Sequence, residues 1–132
     1  HNIPKSDEDY KNFTKSLQST NVYLRNTAIK YLQESDNEVA IFLDKLLRSN
    51  DKDIRIFALN ILGDVKYDKS IEMLRYFLAQ EDDINAMMTA VDYLGEIGSE
   101  EDIELLETLK TAHKDNQYVL FAVDTAIARI KG

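Results

Sequence analysis

The residues of this chain that could take part in a reaction include its two histidines. His1 stands at the start, in what the sequence suggests is a tag remnant, and His113 lies in a polar segment beside Lys114 and Asp115. A metal site needs several histidine, cysteine or carboxylate ligands that converge on one point. A lone histidine in a connection therefore indicates a solvated turn residue, and the sequence predicts no metal site.

A second candidate for chemistry is a polar position that recurs in three copies, as Asn60, Asp92 and Asp124. Two neighbouring carboxylates could share a proton or bind a cation. Charged positions usually face water, so the favoured interpretation is a solvated outer face. The chain has no cysteine and so lacks a thiol nucleophile, a thiolate metal site and a disulfide framework. We therefore expect no catalytic residue, no cofactor and no enzyme activity.

The elements that must position these residues are helices that repeat along the chain. Leu62-Gly63-Asp64 returns as Leu94-Gly95-Glu96, and apolar residues around each copy recur three or four positions apart, on one helical stripe. The period of 30 to 32 residues predicts an all-α fold, an α-α superhelix of about eight helices. The expected elements are a capping helix at 6–18, hairpins at about 21–48, 51–79 and 83–111, and a last helix at 116–131.

Residues at the ends of these helices are consistent with the periodicity. Gly63 and Gly95 are predicted to close first helices in a left-handed conformation, which glycine adopts without a steric clash. Ser99 is predicted to cap a later helix, with acidic residues in its first turn. Polar residues that precede the first helices are predicted to be N-caps: Asn21, Asp51, Asp83 and Asp115.

Two segments carry a resemblance to a known family: LGEIGSEEDIELLETL at 94–109 and NDKDIRIFALNILGDV at 50–65. They resemble the short HEAT-like repeats of bacteria and archaea, the type also found in phycobilisome lyases, and this resemblance implies that the α-α superhelix is right-handed. The resemblance covers most of the chain, about 20–130, and includes an acid-x-x-x-Arg pattern from Asp51 to Arg55. The third and fourth copies depart from this pattern, with Met87 and Val119 in place of the arginine.

Two activities known among HEAT-like proteins do not suit this sequence. HEAT-like deoxyhypusine hydroxylases carry paired His-Glu steps for iron, and no His-Glu dipeptide occurs here. HEAT-like DNA glycosylases have basic concave surfaces, whereas this chain has 16 basic against 24 acidic residues and a formal charge of −8. Because phosphate backbones require a basic stripe, we expect no nucleic acid partner. A basic or amphipathic protein is the better candidate.

The resemblance implies that the second helix of each hairpin lines a concave face that contacts the partner. Exposed aromatic, methionine and arginine side chains favour such interfaces. For Phe42, Met73 and Leu105, however, packing against the adjacent hairpin is the favoured interpretation, because each lies four residues before a core position. The candidate partner-binding residues are Phe42, Lys45, Met73, Arg75, Tyr76, Leu105 and Thr108.

The functional prediction is a non-catalytic protein interaction or scaffolding module that presents its second-helix face to a partner protein or peptide. The alternative is a lyase-like or accessory domain that positions a small molecule or chromophore, as the phycobilisome-lyase resemblance would imply. A deep apolar pocket on the concave face would favour the alternative. A flat, charged ridge would favour the scaffold.

Domain organisation and location follow from composition. Residues 1–5 are predicted to be a tag remnant or disordered start, and 6–132 a single HEAT-like domain. No apolar run of 18 residues occurs, so we expect no membrane span and a cytoplasmic protein. The last helix has no second helix within this sequence, so it is either a natural cap or the point at which a longer array was cut. Phe121, Ile127 and Ile130 cannot all be buried by one neighbour unless the packing is favourable, and an uncovered end would favour a homodimer.

Overall fold

A computed structural model describes residues 7–18, 22–34, 36–65 and 69–132, and these ranges contain eight α-helices and no strand. The predicted all-α fold of HEAT-like hairpins is confirmed. The predicted start at 1–5 and the predicted N-cap Asn21 lie outside the described residues. The helices are α1 (Asp7–Gln18), α2 (Val22–Gln33), α3 (Asp36–Leu47), α4 (Lys52–Val65), α5 (Ser70–Gln80), α6 (Ile84–Ile97), α7 (Ile103–Ala112) and α8 (Gln117–Lys131).

The chain divides into two compact units, His1–Tyr67 and Asp68–Gly132. The first unit holds α1 to α4 and the second holds α5 to α8. The boundary therefore falls within the segment predicted as the second hairpin, 51–79. That 6–132 forms a single domain stays a prediction.

In the first unit, α1 packs on α2, α3 packs on α4, and α2 also contacts α4. Phe13 of α1 meets Phe42 of α3 edge to face, with ring centroids 5.1 Å apart and planes at 80°. Such aromatic pairs stabilise a core by about 1 kcal/mol beyond the area they bury. The capping helix is thus anchored on the second helix of the first hairpin. Among the described residues of this unit, the buried apolar side chains are Leu32, Phe42, Leu43, Leu46, Ala58, Leu59, Ile61 and Leu62.

In the second unit, α6 and α8 pack side by side, while α5 contacts α6 and α7 contacts α8. The two first helices, α6 and α8, approach each other closely where Gly95 faces Ala126. A Cβ atom built on Gly95 would lie 2.8 Å from the Cα and 2.9 Å from the Cβ of Ala126. Both distances are shorter than a van der Waals contact, so only glycine fits at this position without displacing α8.

Three helix starts can be compared with the sequence predictions. Asp83 caps α6 and accepts a hydrogen bond from the amide three residues on, at 2.9 Å, as predicted. Asp51 directly precedes α4 and accepts a hydrogen bond from the backbone amide of Asp53, also at 2.9 Å. The prediction for Asp115 is wrong by one residue. Asn116 caps α8, because its extended backbone (φ −107°, ψ 105°) lets its side chain accept from the two amides of the first turn.

The predicted role of the two glycines as left-handed helix ends is also wrong. Gly63 lies inside α4 and Gly95 inside α6, so both have right-handed helical backbone. Helix α6 continues to Ile97 and ends at Gly98, whose backbone is extended (φ −77°, ψ 176°). The small residue at Gly95 is required by the close approach of α8 and not by a turn of the chain.

Candidate partner-binding surface

Six of the seven candidate residues fall into two registers on the second helices, and the structure separates the registers by exposure. Lys45 on α3, Tyr76 on α5 and Thr108 on α7 occupy the outer register, and all three are exposed. Tyr76 is the largest of them, with 52% of its surface accessible. This register therefore presents side chains to solvent on the second helices of both units.

The inner register holds Phe42, Met73 and Leu105. Phe42 is only 1% exposed because Phe13 covers its ring. Met73 and Leu105 are half-buried on α5 and α7. Phe42 therefore belongs to the core of the first unit and has almost no surface left for a partner.

Ile41, an apolar residue on α3, is also exposed on the outer surface of the first unit, and it was not identified from the sequence. Ile41 lies one turn before Lys45 and is 61% exposed. Beside it, Arg48 and Asp44 form an exposed ion pair at 3.1 Å. Ile41 could have been noticed in the sequence, because it is an apolar residue that lies outside the stripe formed by the periodic leucines of α3.

Arg75 on α5 does not project freely toward solvent. Its Nη2 atom donates to Oε1 of Glu101 at 2.7 Å and to Oδ2 of Asp102 at 3.2 Å, and its Nε atom donates to Oδ1 of Asp102. Asp102 belongs to a 3-10 turn that precedes α7, and it also accepts from the backbone amide of Ser99 at 2.9 Å. We call this group, Arg75 with Glu101 and Asp102, the arginine clamp.

The electrostatics of the arginine clamp keep both partners charged. Burial by itself would raise the pKa of Asp102, whose side chain is 2% exposed, but hydrogen bonds from Arg75 and Ser99 outweigh it. The pKa of Asp102 is therefore lowered. Hydrogen bonds to Asp102, then to Glu101, raise the pKa of Arg75. The clamp thus joins α5 to the turn before α7. The positive charge of Arg75 is largely neutralised by the two carboxylates of its own chain.

The lowered pKa of Asp102 predicts a specific loss of stability in acid. A depressed folded-state pKa contributes stability above the unfolded value, about 3.9, and this contribution disappears as the pH falls through the folded-state pKa. We expect the advantage of the native protein over Asp102→Asn in free energy of unfolding to be full at pH 7 and to shrink steadily below about pH 4. Urea unfolding at a series of pH values measures it. A difference that stays constant from neutral pH to about pH 2.5 would contradict this.

On α7 the outer surface is open and acidic. A shallow depression of about 430 Å³ runs along this one helix. The hydroxyl of Thr108 donates to the backbone carbonyl of Glu104 at 3.0 Å, and that of Thr111 to the carbonyl of Glu107 at 3.1 Å. The hydroxyl protons are thus used within the helix, and the two glutamates dominate the charge. The lining residues are Glu104, Glu107, Thr108, Thr111 and Ala112.

The recurring aspartates of the first helices pair with cations. Asp124 accepts from Lys110 at 2.8 Å, which raises the pKa of that lysine, and Asp92 accepts from Arg129 at 3.1 Å. Both carboxylates are more than half exposed, as expected for a solvated face. No group of three histidine, cysteine or acidic side chains that could hold a metal ion is found among the described residues. These aspartates therefore link neighbouring helices.

Within each unit, helices of similar length pack against their neighbours in the sequence, and the second helices present Lys45, Tyr76 and Thr108 to solvent. This arrangement is typical of an α-helical repeat protein. Residues 39–128, more than half of the chain, match the family of HEAT repeats, and the chain belongs to that family. HEAT repeats are generally protein-interaction scaffolds. Comparison with curated proteins and with solved structures finds no match. Across the described ranges, no helix combines the length and the apolar character needed to cross a membrane.

Proposed function

We propose that this protein is a non-catalytic interaction module that binds a protein or peptide on the second-helix surface of its second unit. The observation that carries the proposal is Tyr76, a large amphipathic side chain that is 52% exposed on a second helix of a HEAT-repeat chain. Tyrosine is enriched at protein interfaces and at the few positions that dominate binding energy. Thr108 on α7 is the second contact of this surface, and Lys45 on α3 is the corresponding contact on the first unit.

The chemistry of this surface favours a basic or amphipathic partner. Glu104 and Glu107 line the open side of α7, and the whole chain carries a formal charge of −8. The neighbouring cation, Arg75, is neutralised by the arginine clamp and adds little positive potential. A partner segment with lysine or arginine beside an apolar side chain would complement both the glutamates and the Tyr76 ring.

The clamp also explains how the surface would be presented. Arg75 directly precedes Tyr76, and its bonds to Glu101 and Asp102 fix α5 against the turn that begins the α7 segment. A contact residue held in this way loses little conformational freedom on binding, so less of the interaction energy is lost to ordering. Binding would therefore require no large rearrangement of the second unit.

Truncation of Tyr76 tests the proposal. Proteins captured by the native chain from source-cell lysate would be identified, purified and titrated against the variants by calorimetry. We expect Tyr76→Ser to weaken binding by about 30-fold or more, as for a residue at the centre of an interface. Glu104→Lys with Glu107→Lys should reduce the association rate and its salt dependence.

The matched control is Tyr23→Ser on α2, since Tyr23 is also a well-exposed tyrosine and lies outside the second helices. It should leave binding of the captured partner unchanged, and circular dichroism should show all variants to be equally helical. Equal losses for the Tyr76 and Tyr23 variants would place the binding surface elsewhere and refute the proposal.

The alternative function, a lyase-like or accessory domain that holds a small molecule or chromophore, requires an enclosed apolar pocket. The depression along α7 is open and lined by glutamate and threonine side chains, which favours the scaffold. Co-purification of a coloured or small-molecule species, with loss of that species in Thr108→Arg, would instead support the alternative.

A further inference from the structure

One face of α8 carries a stripe of side chains, led by two aromatic rings, that the described part of the chain leaves exposed to solvent. Tyr118 and Phe121 are 76% and 75% exposed, and Thr125 and Ala128 are exposed as well. These residues recur at intervals of three and four, so they lie on one side of the helix. We call them the α8 stripe. The opposite side of α8 holds its buried residues, Val119, Val123, Ala126 and Ile127.

The order of large and small side chains along the α8 stripe makes it complementary to a second α8 stripe that runs in the opposite direction. Its two large side chains, Tyr118 and Phe121, lie toward the start of the helix, and its two small ones, Thr125 and Ala128, lie toward the end. If a second α8 packs antiparallel, with the two-fold axis at the level of residue 123, Tyr118 meets Ala128 of the second copy and Phe121 meets Thr125. Each large ring then occupies the space left by a small residue, as packing without voids requires.

The charges at the two ends of α8 favour the same orientation. Asp115 lies just before the helix, and Lys131 lies in its last turn; both are exposed. Antiparallel packing brings the acidic start of one helix beside the basic end of the other and also opposes the two helix dipoles. The charges that flank the stripe, Asp124 and Arg129, are already paired with groups of their own chain. Such an interface would therefore bury no unpaired charge.

We propose that a second copy of this chain binds the α8 stripe, so that the protein forms an antiparallel, two-fold homodimer through α8. The surface area that the two aromatic rings would bury indicates the affinity of this dimer. Aromatic rings of roughly 200 Å² each, about three-quarters exposed, contribute roughly 600 Å² from two copies. This is about half of what a stable interface needs, so the dimer is weak, with a dissociation constant on the order of 100 µM. It uses a different helix from the proposed partner surface on α5 and α7.

Sedimentation equilibrium of the intact chain, at roughly 10 µM to 1 mM, tests the dimer. The mean mass of the native protein should rise toward twice the monomer mass, while Phe121→Asp should remain monomeric throughout. The control, Tyr23→Asp on α2, also places a charge at an exposed aromatic position and should associate as the native chain does. A native chain that stays monomeric would overturn the proposal, and so would a Phe121→Asp variant that associates normally.

The antiparallel orientation has its own test in the end charges. Asp115→Lys and Lys131→Glu should each weaken the dimer by roughly threefold to fivefold at low salt, and the double variant should recover most of the loss. In a parallel dimer residue 115 would face residue 115, and residue 131 would face residue 131. Like charges would then meet in the native chain and in every variant, so neither the loss nor the recovery would occur. Failure of the double variant to recover would therefore overturn the antiparallel arrangement. Circular dichroism would verify that each variant remains helical.

Discussion

Replacement of Gly95 by leucine is expected to lower the free energy of unfolding by about 3 kcal/mol or more. The first atom of the new side chain would lie 2.8 Å from the Cα of Ala126, and the rest of the side chain would have to enter the space of α8. Because the obstacle is backbone, rotation of a side chain cannot relieve it. Even Gly95→Ala should destabilise, although alanine in a helix interior gains about 1 kcal/mol over glycine. Urea unfolding followed by circular dichroism measures both losses.

The matched control introduces leucine at the next position of the same helix. Glu96 is exposed, so Glu96→Leu should change stability by no more than about 0.5 kcal/mol. Ala126→Gly combined with Gly95→Ala should recover little of the loss, because the 2.8 Å clash with the Cα atom remains and a glycine inside α8 itself costs about 1 kcal/mol. If Gly95→Leu proved as stable as Glu96→Leu, the close approach of α6 and α8 would be wrong.

Replacement of Arg75 by methionine is expected to cost about 2 kcal/mol of folding stability. It leaves the Asp102 carboxylate, whose side chain is 2% exposed, without its cation. Removal of one partner from a fully buried pair typically costs 3 to 5 kcal/mol, but the Arg75 side chain is 34% exposed, so water can partly compensate. Arg75→Lys should recover only part of the loss, because an ammonium cannot reproduce the paired hydrogen bonds of a guanidinium. Urea unfolding of each variant supplies the values.

A double-mutant cycle with Asp102→Asn separates the arginine clamp from other effects of the substitution. We expect the two single losses to be non-additive by more than about 1 kcal/mol, because the residues contact each other. The matched control is Arg48→Met, since the Arg48 and Asp44 pair is 61% and 52% exposed, and such pairs contribute about 0.5 kcal/mol or less. Equal effects of Arg75→Met and Arg48→Met would mean that the burial of Asp102 has no energetic consequence.

The helices could be predicted from the sequence because their determinants are local and repeated. Leu62 and Leu94 recur in the same place of successive copies, and both are buried. Caps are also local, but two adjacent residues with suitable side chains leave the choice open, and Asn116 caps α8 where Asp115 was expected. The role of Gly95 was missed for a different reason. The sequence cannot distinguish a glycine required by close helix packing from a glycine required by a turn. The position of α8 shows that Gly95 is of the first kind.

The candidate surface was only partly predictable. The outer register of Lys45, Tyr76 and Thr108 follows from helical spacing, and the structure exposes all three. The bonds of Arg75 to Asp102 could not be predicted, since the two residues are 27 positions apart and no local pattern relates them. The identity of a partner depends on a second molecule, about which the sequence contains only the sign of the charge and the position of exposed aromatic residues.

The arginine clamp also makes the order of the repeats matter. The positions that correspond to Arg75 in the other copies are Asp44 and Glu107, and the position that corresponds to Asp102 one copy earlier is Ser70. A hairpin moved to another place in the series would therefore set an acidic residue against Asp102, or leave Arg75 without a carboxylate. Although the copies share their apolar pattern, they are not interchangeable modules. Any design that lengthens the array, reorders the repeats or transfers them to another protein would have to keep Arg75 and Asp102 together.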